Sequence, residues 1–383
     1  MDNLIHKCID NYLVITTWFQ LTFGEHYPIE LVQLIIKLYY HCFRIKIKCG
    51  TRHSVMLFDN KVYVWGYNRY GQLGLGHYDD IHYPRELNLP NVKKITCGEL
   101  HTMAITFSNK IYVWGCNEDG QLGIGYDKKI CSPQELDLPN IKKIICGAYH
   151  TIAITYSNQI YVWGSNFGGQ LGLGHNDNSY SPHKLDLPNI KKIISRGNQN
   201  MAITYLNEIY VWGRNSCGQL GLGHKIDTNL PQRLDFVGIK KISIGIYHTI
   251  AITNHNEVYV WGENKYGQLG LGHDIDMILL QQLNLPNIKK IICGGCHNMA
   301  ITYSNEIYVW GYNVGGQLGL GHNQNINSPQ KLHLPNIKKI ICGNAHTIAI
   351  THSNKIYIWG GNINGQLGLG HNNSMNSPQE LKF

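Results

Sequence analysis

Charge is scarce in this chain. Asp, Glu, Lys and Arg make up 15% of its 383 residues, low for a globular protein, so the few positions that carry charge matter. No stretch reaches 18 uninterrupted apolar residues, which excludes a membrane-spanning helix and membrane insertion. Asp2 and Asp10 stand where a secretory signal needs basic residues, and no small-residue cleavage site follows an apolar core. A soluble intracellular protein, cytoplasmic or nuclear, is expected. The 41 glycines follow no G-X-Y period, which excludes collagen. No Gly-rich run is followed by the Lys-Ser/Thr of a phosphate-binding loop. No nucleophile motif, acidic pair or Cys-His pair stands apart from the repeat pattern, so neither catalysis nor a cofactor is expected.

Disulfides are not expected either. The cysteine count is odd, at 11, and five recur at one repeat phase: Cys49, Cys97, Cys146, Cys293 and Cys342. Ser195 and Ile244 fill that phase in the other repeats. A position that accepts Cys, Ser or Ile is a small buried slot, and the compartment is read as reducing.

What the chain has in abundance is repetition. Trp-Gly occurs at Trp65, Trp114, Trp163, Trp212, Trp261, Trp310 and Trp359, each 49 residues after the last. Gly-Gln-Leu-Gly follows in each repeat, starting at Gly71, Gly120, Gly169, Gly218, Gly267, Gly316 and Gly365. The repeat from Lys142 to Leu185 reads as four short strands. Lys-Lys-Ile-Ile-Cys ends at a glycine. His150 to Thr155 alternates and is rich in β-branched residues. Tyr156-Ser157-Asn158 is a tight turn, with Asn suited to a positive φ. Ile160 to Trp163 is apolar on both faces, as in a strand buried on both sides. Ser181 to Leu185, with Pro182, reads as an edge strand. One such sheet cannot bury both faces alone, whereas stacking sheets around an axis can. Both ends of the repeat region look internal, which favours a closed ring. The expected fold is all-β, a seven-bladed β-propeller of four-stranded blades over 44–383. The tryptophans form the blade core, each burying about 150–250 Å².

The consensus is Cys-Gly-x-x-His, then Val-Trp-Gly-x-Asn-x-x-Gly-Gln-Leu-Gly-x-Gly, then Pro-x-x-Leu. It resembles the regulator-of-chromosome-condensation repeat family from about Arg44 to Phe383. Trp-Asp repeats would show Asp after Trp, and kelch repeats a paired glycine in every copy. Departures are few: Arg196 and Gln199 replace Gly and His, Ile244 replaces Cys, and Leu280 replaces the proline. The resemblance implies a binding platform. The founding member is a nucleotide-exchange factor for a nuclear small GTPase that also docks on chromatin, and relatives include ubiquitin-ligase components. That founder carries an extra wedge-like hairpin, which the uniform Trp spacing leaves no room for here.

Two histidine sets share repeat phases: His53, His101, His150, His248, His297 and His346, and His77, His175, His224, His273, His322 and His371. Symmetry spreads each set around the ring, so structural hydrogen bonding is expected rather than a metal site. Asn68, Asn117, Asn166, Asn215, Asn264, Asn313 and Asn362 read as side-chain caps on local backbone. Lysine pairs at Lys93-Lys94, Lys142-Lys143, Lys191-Lys192, Lys240-Lys241, Lys289-Lys290 and Lys338-Lys339 should form a basic rim of solvated strand ends. The net charge of +8 permits an acidic or nucleic-acid partner without requiring one. Candidate partner-binding residues are those that vary around the repeated Asn: Tyr67, Arg69, Tyr70, Glu118, Asp119, Phe167, Arg214, Lys265 and Tyr266. Aromatic and arginine side chains are the usual interface anchors.

Residues 1–43 fall outside the repeats and read as a helical appendage. Pro28 suits a first helical position, and 29–43 is amphipathic. Tyr27-Pro-Ile-Glu-Leu31 resembles the start of an F-box, the motif that joins substrate receptors to a ubiquitin-ligase adaptor. The expected function is a non-catalytic, monomeric protein-interaction scaffold that binds a protein partner through loops on one face. The alternatives are a guanine-nucleotide exchange factor for a small GTPase, a ubiquitin-ligase substrate receptor, and a chromatin or nucleic-acid binder.

Overall fold

The computed structural model describes residues 45–382 apart from 286 and 335. The helical appendage expected over 1–43 lies outside the described residues. Seven four-stranded antiparallel sheets follow one another along the chain. The first blade comprises β1 (Lys46–Cys49), β2 (His53–Phe58), β3 (Lys61–Gly66) and β4 (Ile81–Leu87), hydrogen-bonded in that order. The last comprises β25 (Ile337–Cys342), β26 (His346–Thr351), β27 (Ile356–Gly360) and β28 (Met375–Leu381).

Alternating β-branched segments give the second strands, and continuous apolar segments give the third. In the third blade, β10 (His150–Thr155) and β11 (Ile160–Gly164) are the central strands and are buried along nearly their whole length. β12 (Ser179–Leu185) carries Pro182 on the free edge, where a missing N–H is harmless. Asn158 takes a φ of 61° in the turn between β10 and β11. In the first blade the matching hairpin is one residue shorter. Asp59 and Asn60, at φ of 50° and 57°, form the two-residue turn that suits a twisted hairpin.

No strand is shared between the two ends of the ring. β1 packs on β25 as on β5 (Val92–Cys97). Trp65, Val62 and Val64 share one core with Ile348, Ile356, Ile358 and Leu367 of the last blade. Each of the seven repeat Trp indoles is fully buried. Each donates Nε1–H to the main-chain oxygen of a glutamine in the preceding blade: Trp114 to Gln72, Trp163 to Gln121, and so on round to Trp65 on Gln366, at 2.9–3.1 Å.

A second polar belt runs beside the tryptophans. Thr102 Oγ1 donates to the Gln72 carbonyl at 2.9 Å and faces His53 Nε2 at 3.0 Å. Thr151, Asn200, Thr249, Asn298, Thr347 and Ser54 repeat the bond to the glutamine carbonyl. Because the hydroxyl hydrogen is spent on that carbonyl, the His53 ring must donate from Nε2, which leaves Nδ1 unprotonated. Nδ1 of all six belt histidines is buried with no hydrogen-bond partner among the described residues. Their rings lie on the glycine three residues earlier, where a Cβ would sit 2.1 Å from His101 Cε1 at Gly98. That glycine is therefore demanded by its histidine. Burial holds His53, His101 and His297 down to about 3, and His150, His248 and His346 to about 4. The five phased cysteines are free thiols in the same layer. Burial pushes Cys49, Cys146, Cys293 and Cys342 up to about 12.

Two outcomes follow. Trp65→Ala and Trp212→Ala should each cost about 3–5 kcal/mol in urea unfolding, because the closing interface is built like the others. A cost at Trp65 below half that at Trp212 would mean an unclosed ring. The histidines give stability that is complete above pH 6.5, where unfolded rings are neutral too. Below that the unfolded chain takes up protons the folded one refuses, costing about 1.4 kcal/mol per pH unit per histidine. The melting temperature should fall steeply from pH 7 to pH 5, and a flat profile would contradict neutral belt rings.

Candidate functional site

Each blade ends on two faces. The first-to-second and third-to-fourth strand connections share one face, called here the loop face. The tight hairpins and the links between blades share the other. The long loop after each Trp-Gly is fixed by its repeated side chains. Asn68 Oδ1 accepts from Leu73 N at 2.9 Å and its amide donates to the His77 carbonyl at 2.8 Å. Gln72 Oε1 accepts from Tyr70 N at 3.0 Å. Asn166 and Gln170 make the same contacts in the third blade. The second histidine set caps these loops, as where His175 Nδ1 accepts from Asp177 N. Both histidine sets and the asparagines thus have the local structural roles expected of them.

The nine candidate residues all lie on the loop face, in separate clusters. The Tyr67 and Tyr70 rings lie 6.3 Å apart, and Arg69 approaches Asp80 at 3.9 Å. The carboxylate of Glu118 raises the Tyr70 hydroxyl. Asp119 accepts from Asn178 at 2.9 Å. Phe167 is 55% exposed. Arg214 lies over the Tyr247 ring. Lys265 lies over Tyr266, whose ring meets Tyr312 at 4.8 Å. Lys265 and Tyr266 also line a cleft of about 180 Å³ with Asp274 and Asn327.

Sequence reasoning missed residues of the shorter loops between glycine and histidine, and one residue of a long loop, Glu263. Burial raises the Glu99 carboxyl, although Tyr149 hydrogen-bonds to it. Burial and then Asp276 raise Glu263, which accepts from Gln268 Nε2 at 2.9 Å. The two variable residues inside each Gly-x-x-His were the available signal for Glu99 and Tyr149, and the variable position before Asn264 was the signal for Glu263.

A central channel runs between the faces, lined by the first strands, with a cavity of about 520 Å³. Here backbone register sets the direction of each lysine. In blades two to seven the first strand is bulged. In the third blade, Ile154 pairs Lys143 and Thr155 pairs Ile141, so Lys142 is skipped. In β13 (Ile190–Arg196), Lys191 is skipped likewise. The bulge throws out the first lysine of each pair and puts the second on the channel side of its strand. Lys143, Lys192, Lys290 and Lys339 line the channel with Lys48. Both members of most pairs are solvent-exposed, as expected of a basic rim, and four of the second members also line the channel.

Arg196 breaks the seven-fold symmetry. Its guanidinium crosses the channel and donates to the carbonyls of Cys293 at 3.0 Å and Gly343 at 2.7 Å, with longer contacts to Cys342. It can occupy a glycine phase because Gln199 replaces the histidine. The Gln199 amide turns instead to the Gly245 carbonyl at 3.1 Å. The two departures from the repeat are one structural change.

The family described as the RCC1-like domain matches residues 198–383. The regulator of chromosome condensation (RCC1) repeat matches 59–105, 108–154 and 157–199. The chain belongs to the regulator of chromosome condensation repeat family. Among curated relatives, the ultraviolet-B receptor UVR8 of Arabidopsis thaliana is 38% identical over 65 residues, 16% of this chain and 15% of that protein. The human X-linked retinitis pigmentosa GTPase regulator is 36% identical over 66 residues, covering 16% of this chain and 6% of that one. The chain thus matches only a small part of either relative's length. Human WBSCR16 superposes with a TM-score of 0.74 at 23% identity, covering 84% of this chain and 94% of that one. Prp20p of Saccharomyces cerevisiae, reported with its binding properties to Gsp1p and histones, gives 0.75 at 20% identity, covering 91% and 89%. At these identities the solved structures show a shared fold alone. Among the described residues, no helix is long and apolar enough to cross a membrane.

The coupling of positions 196 and 199 can be tested by a double-mutant cycle. Gln199→His alone should cost about 1–3 kcal/mol by overpacking against Arg196. Adding Arg196→Gly should recover most of that loss in urea unfolding. Additive costs would contradict a shared site.

Proposed function

We propose that this protein is a non-enzymatic interaction scaffold that holds a protein partner on the loop face. One observation carries the reading: the buried frame repeats from blade to blade, while the side chains around each repeated Asn differ. Tyr67, Arg69, Phe167, Arg214 and Tyr266 stand on rigidly braced loops, and aromatic and arginine anchors dominate binding energy at interfaces. Bracing also lowers the ordering cost of binding. A second reading, nucleotide exchange on a small GTPase, is supported by likeness to Prp20p, which binds Gsp1p. The ubiquitin-ligase reading rests on 1–43, outside the described residues. An intracellular setting, cytoplasmic or nuclear, accords with the family.

The test is affinity purification from host lysate with mass spectrometry, using three baits. These are the full chain, an Arg69→Ala/Phe167→Ala/Arg214→Ala/Lys265→Ala variant, and a Lys61→Ala/Lys110→Ala/Lys355→Ala control on the opposite face. Recovery of a partner should fall at least about ten-fold with the loop variant and stay unchanged with the control. Equal recovery by all three baits, or loss only with the control, would overturn the loop-face assignment. Stimulated GDP release from the recovered partner would select exchange over passive scaffolding.

A further inference from the structure

The opposite end of the channel carries a feature that loop-face binding does not use. The innermost strands hold Lys46, Lys48 and the six lysine pairs, and not one Asp or Glu. At the phase of Lys46, every blade supplies a lysine: Lys94, Lys143, Lys192, Lys241, Lys290 and Lys339. A ring of cations therefore surrounds the axis. Acidic residues compensate the outer blades instead, where Lys61, Lys110, Lys331 and Lys355 pair with Glu86, Glu135, Glu306 and Glu380. Glu99 also lines the channel, but on the loop connecting the first blade-two strands, at the far end.

Within the ring the lysines differ. Lys46 and Lys94 reach the main-chain oxygens of Lys93 and Lys142 in the next blade, and Lys241 reaches that of Lys289. Among the described residues, Lys48, Lys192 and Lys290 form no ion pair. Lys48 projects from one layer deeper, where the other blades place Thr96, Ile145, Ile194, Ser243, Ile292 and Ile341. Its charge acts on both Lys143 and Lys290. Lys48 lines the channel together with Lys143 of the third blade and Lys290 of the sixth. Burial first, and then neighbouring lysines, lower the Lys143 ammonium. Like charges are thus brought together at one end of a cavity whose one acidic lining residue among those described, Glu99, is at the other. Arg196 closes the loop end with a further positive charge.

We propose that this channel mouth binds a compact, soluble anion bearing several phosphates, of the inositol polyphosphate or short inorganic polyphosphate class. Shape favours it over nucleic acid. The charges converge on one axis at the mouth of a channel cavity of about 520 Å³, within the usual range for small-molecule sites. A duplex presents phosphates along a line, and its girth keeps it from the recessed Lys48. A lipid headgroup would have to bring its bilayer past the surrounding hairpins. Lys48, Lys192 and Lys290 from below and around, with Lys143, supply point charges suited to phosphate.

Isothermal titration of the full chain with inositol hexakisphosphate, and separately with tripolyphosphate, tests this at physiological salt. One site per chain is expected for at least one of the two probes, with sulfate failing to compete at equal concentration. Lys48→Ala/Lys192→Ala/Lys290→Ala should weaken binding at least about 30-fold. It should also raise the melting temperature of the unliganded protein, because repulsion is removed, and so reports that the variant folds. Lys61→Ala/Lys110→Ala/Lys355→Ala removes the same charge from the outer blades and should change affinity less than about three-fold. Equal loss in both variants would show a diffuse field and overturn the site, as would several anions bound per chain. Failure of both probes to bind, or tighter binding to single-stranded DNA or to phosphoinositide vesicles, would overturn it too. None of these outcomes bears on the loop-face variant, which leaves this end of the channel intact.

Discussion

Seven indole N–H groups, each bound to a glutamine carbonyl of the neighbouring blade, hold this molecule together. The bond matters less for its own energy, on the order of 1 kcal/mol, than for where it sits. It satisfies the polar atom of the largest buried side chain. It also pins the long loop of one blade onto the core of the next. The same glutamine carbonyl takes a Thr, Ser or Asn from the next blade, and the same glutamine side chain holds the loop's own backbone. Blade packing and loop shape are therefore one arrangement. The loop side chains that do not pack are left free to differ.

That separation organises the two faces. On the loop face, Tyr67, Phe167, Arg214 and Lys265 are displayed from positions the frame does not constrain. At the other end, the bulge in the first strand of blades two to seven turns one lysine per blade toward the axis, a direct product of backbone register. Arg196 crosses the channel at the loop end. Its entry into the channel required loss of a glycine, and that required loss of the histidine whose ring lies on the glycine in six other blades. A symmetric scaffold acquired one asymmetric element through a paired change.

Much of this was legible in the sequence, because each repeat states its own reasons. The blade count, the four strands, the Asn turns and the buried tryptophans follow from spacing and from the alternation of apolar residues. The two histidine phases read correctly as structural, since a ring cannot gather them at one point. The lysine pairs read correctly as solvated strand ends, but the direction of each lysine did not show. Their direction depends on a bulge that skips Lys142 and its counterparts, and a bulge leaves no mark when both residues are lysine. Arg196 and Gln199 were visible as departures, but their linkage needed the stacking of ring on glycine. Glu99 and Tyr149 were hidden because short connections between strands carry no period. How the ring closes was also illegible, because contiguous blades and a shared blade give the same repeat pattern.

Closure is the claim on which the scaffold depends, and hydrogen exchange tests it most directly. Amides of β1 and β25, the strands that meet at the seam, should be protected to the same degree as those of β13, well inside the repeat. Equal protection is the result expected of a ring whose seventh interface matches the other six. Exchange of β1 and β25 that is orders of magnitude faster than that of β13 would show an open ring, and the frame described here would not hold.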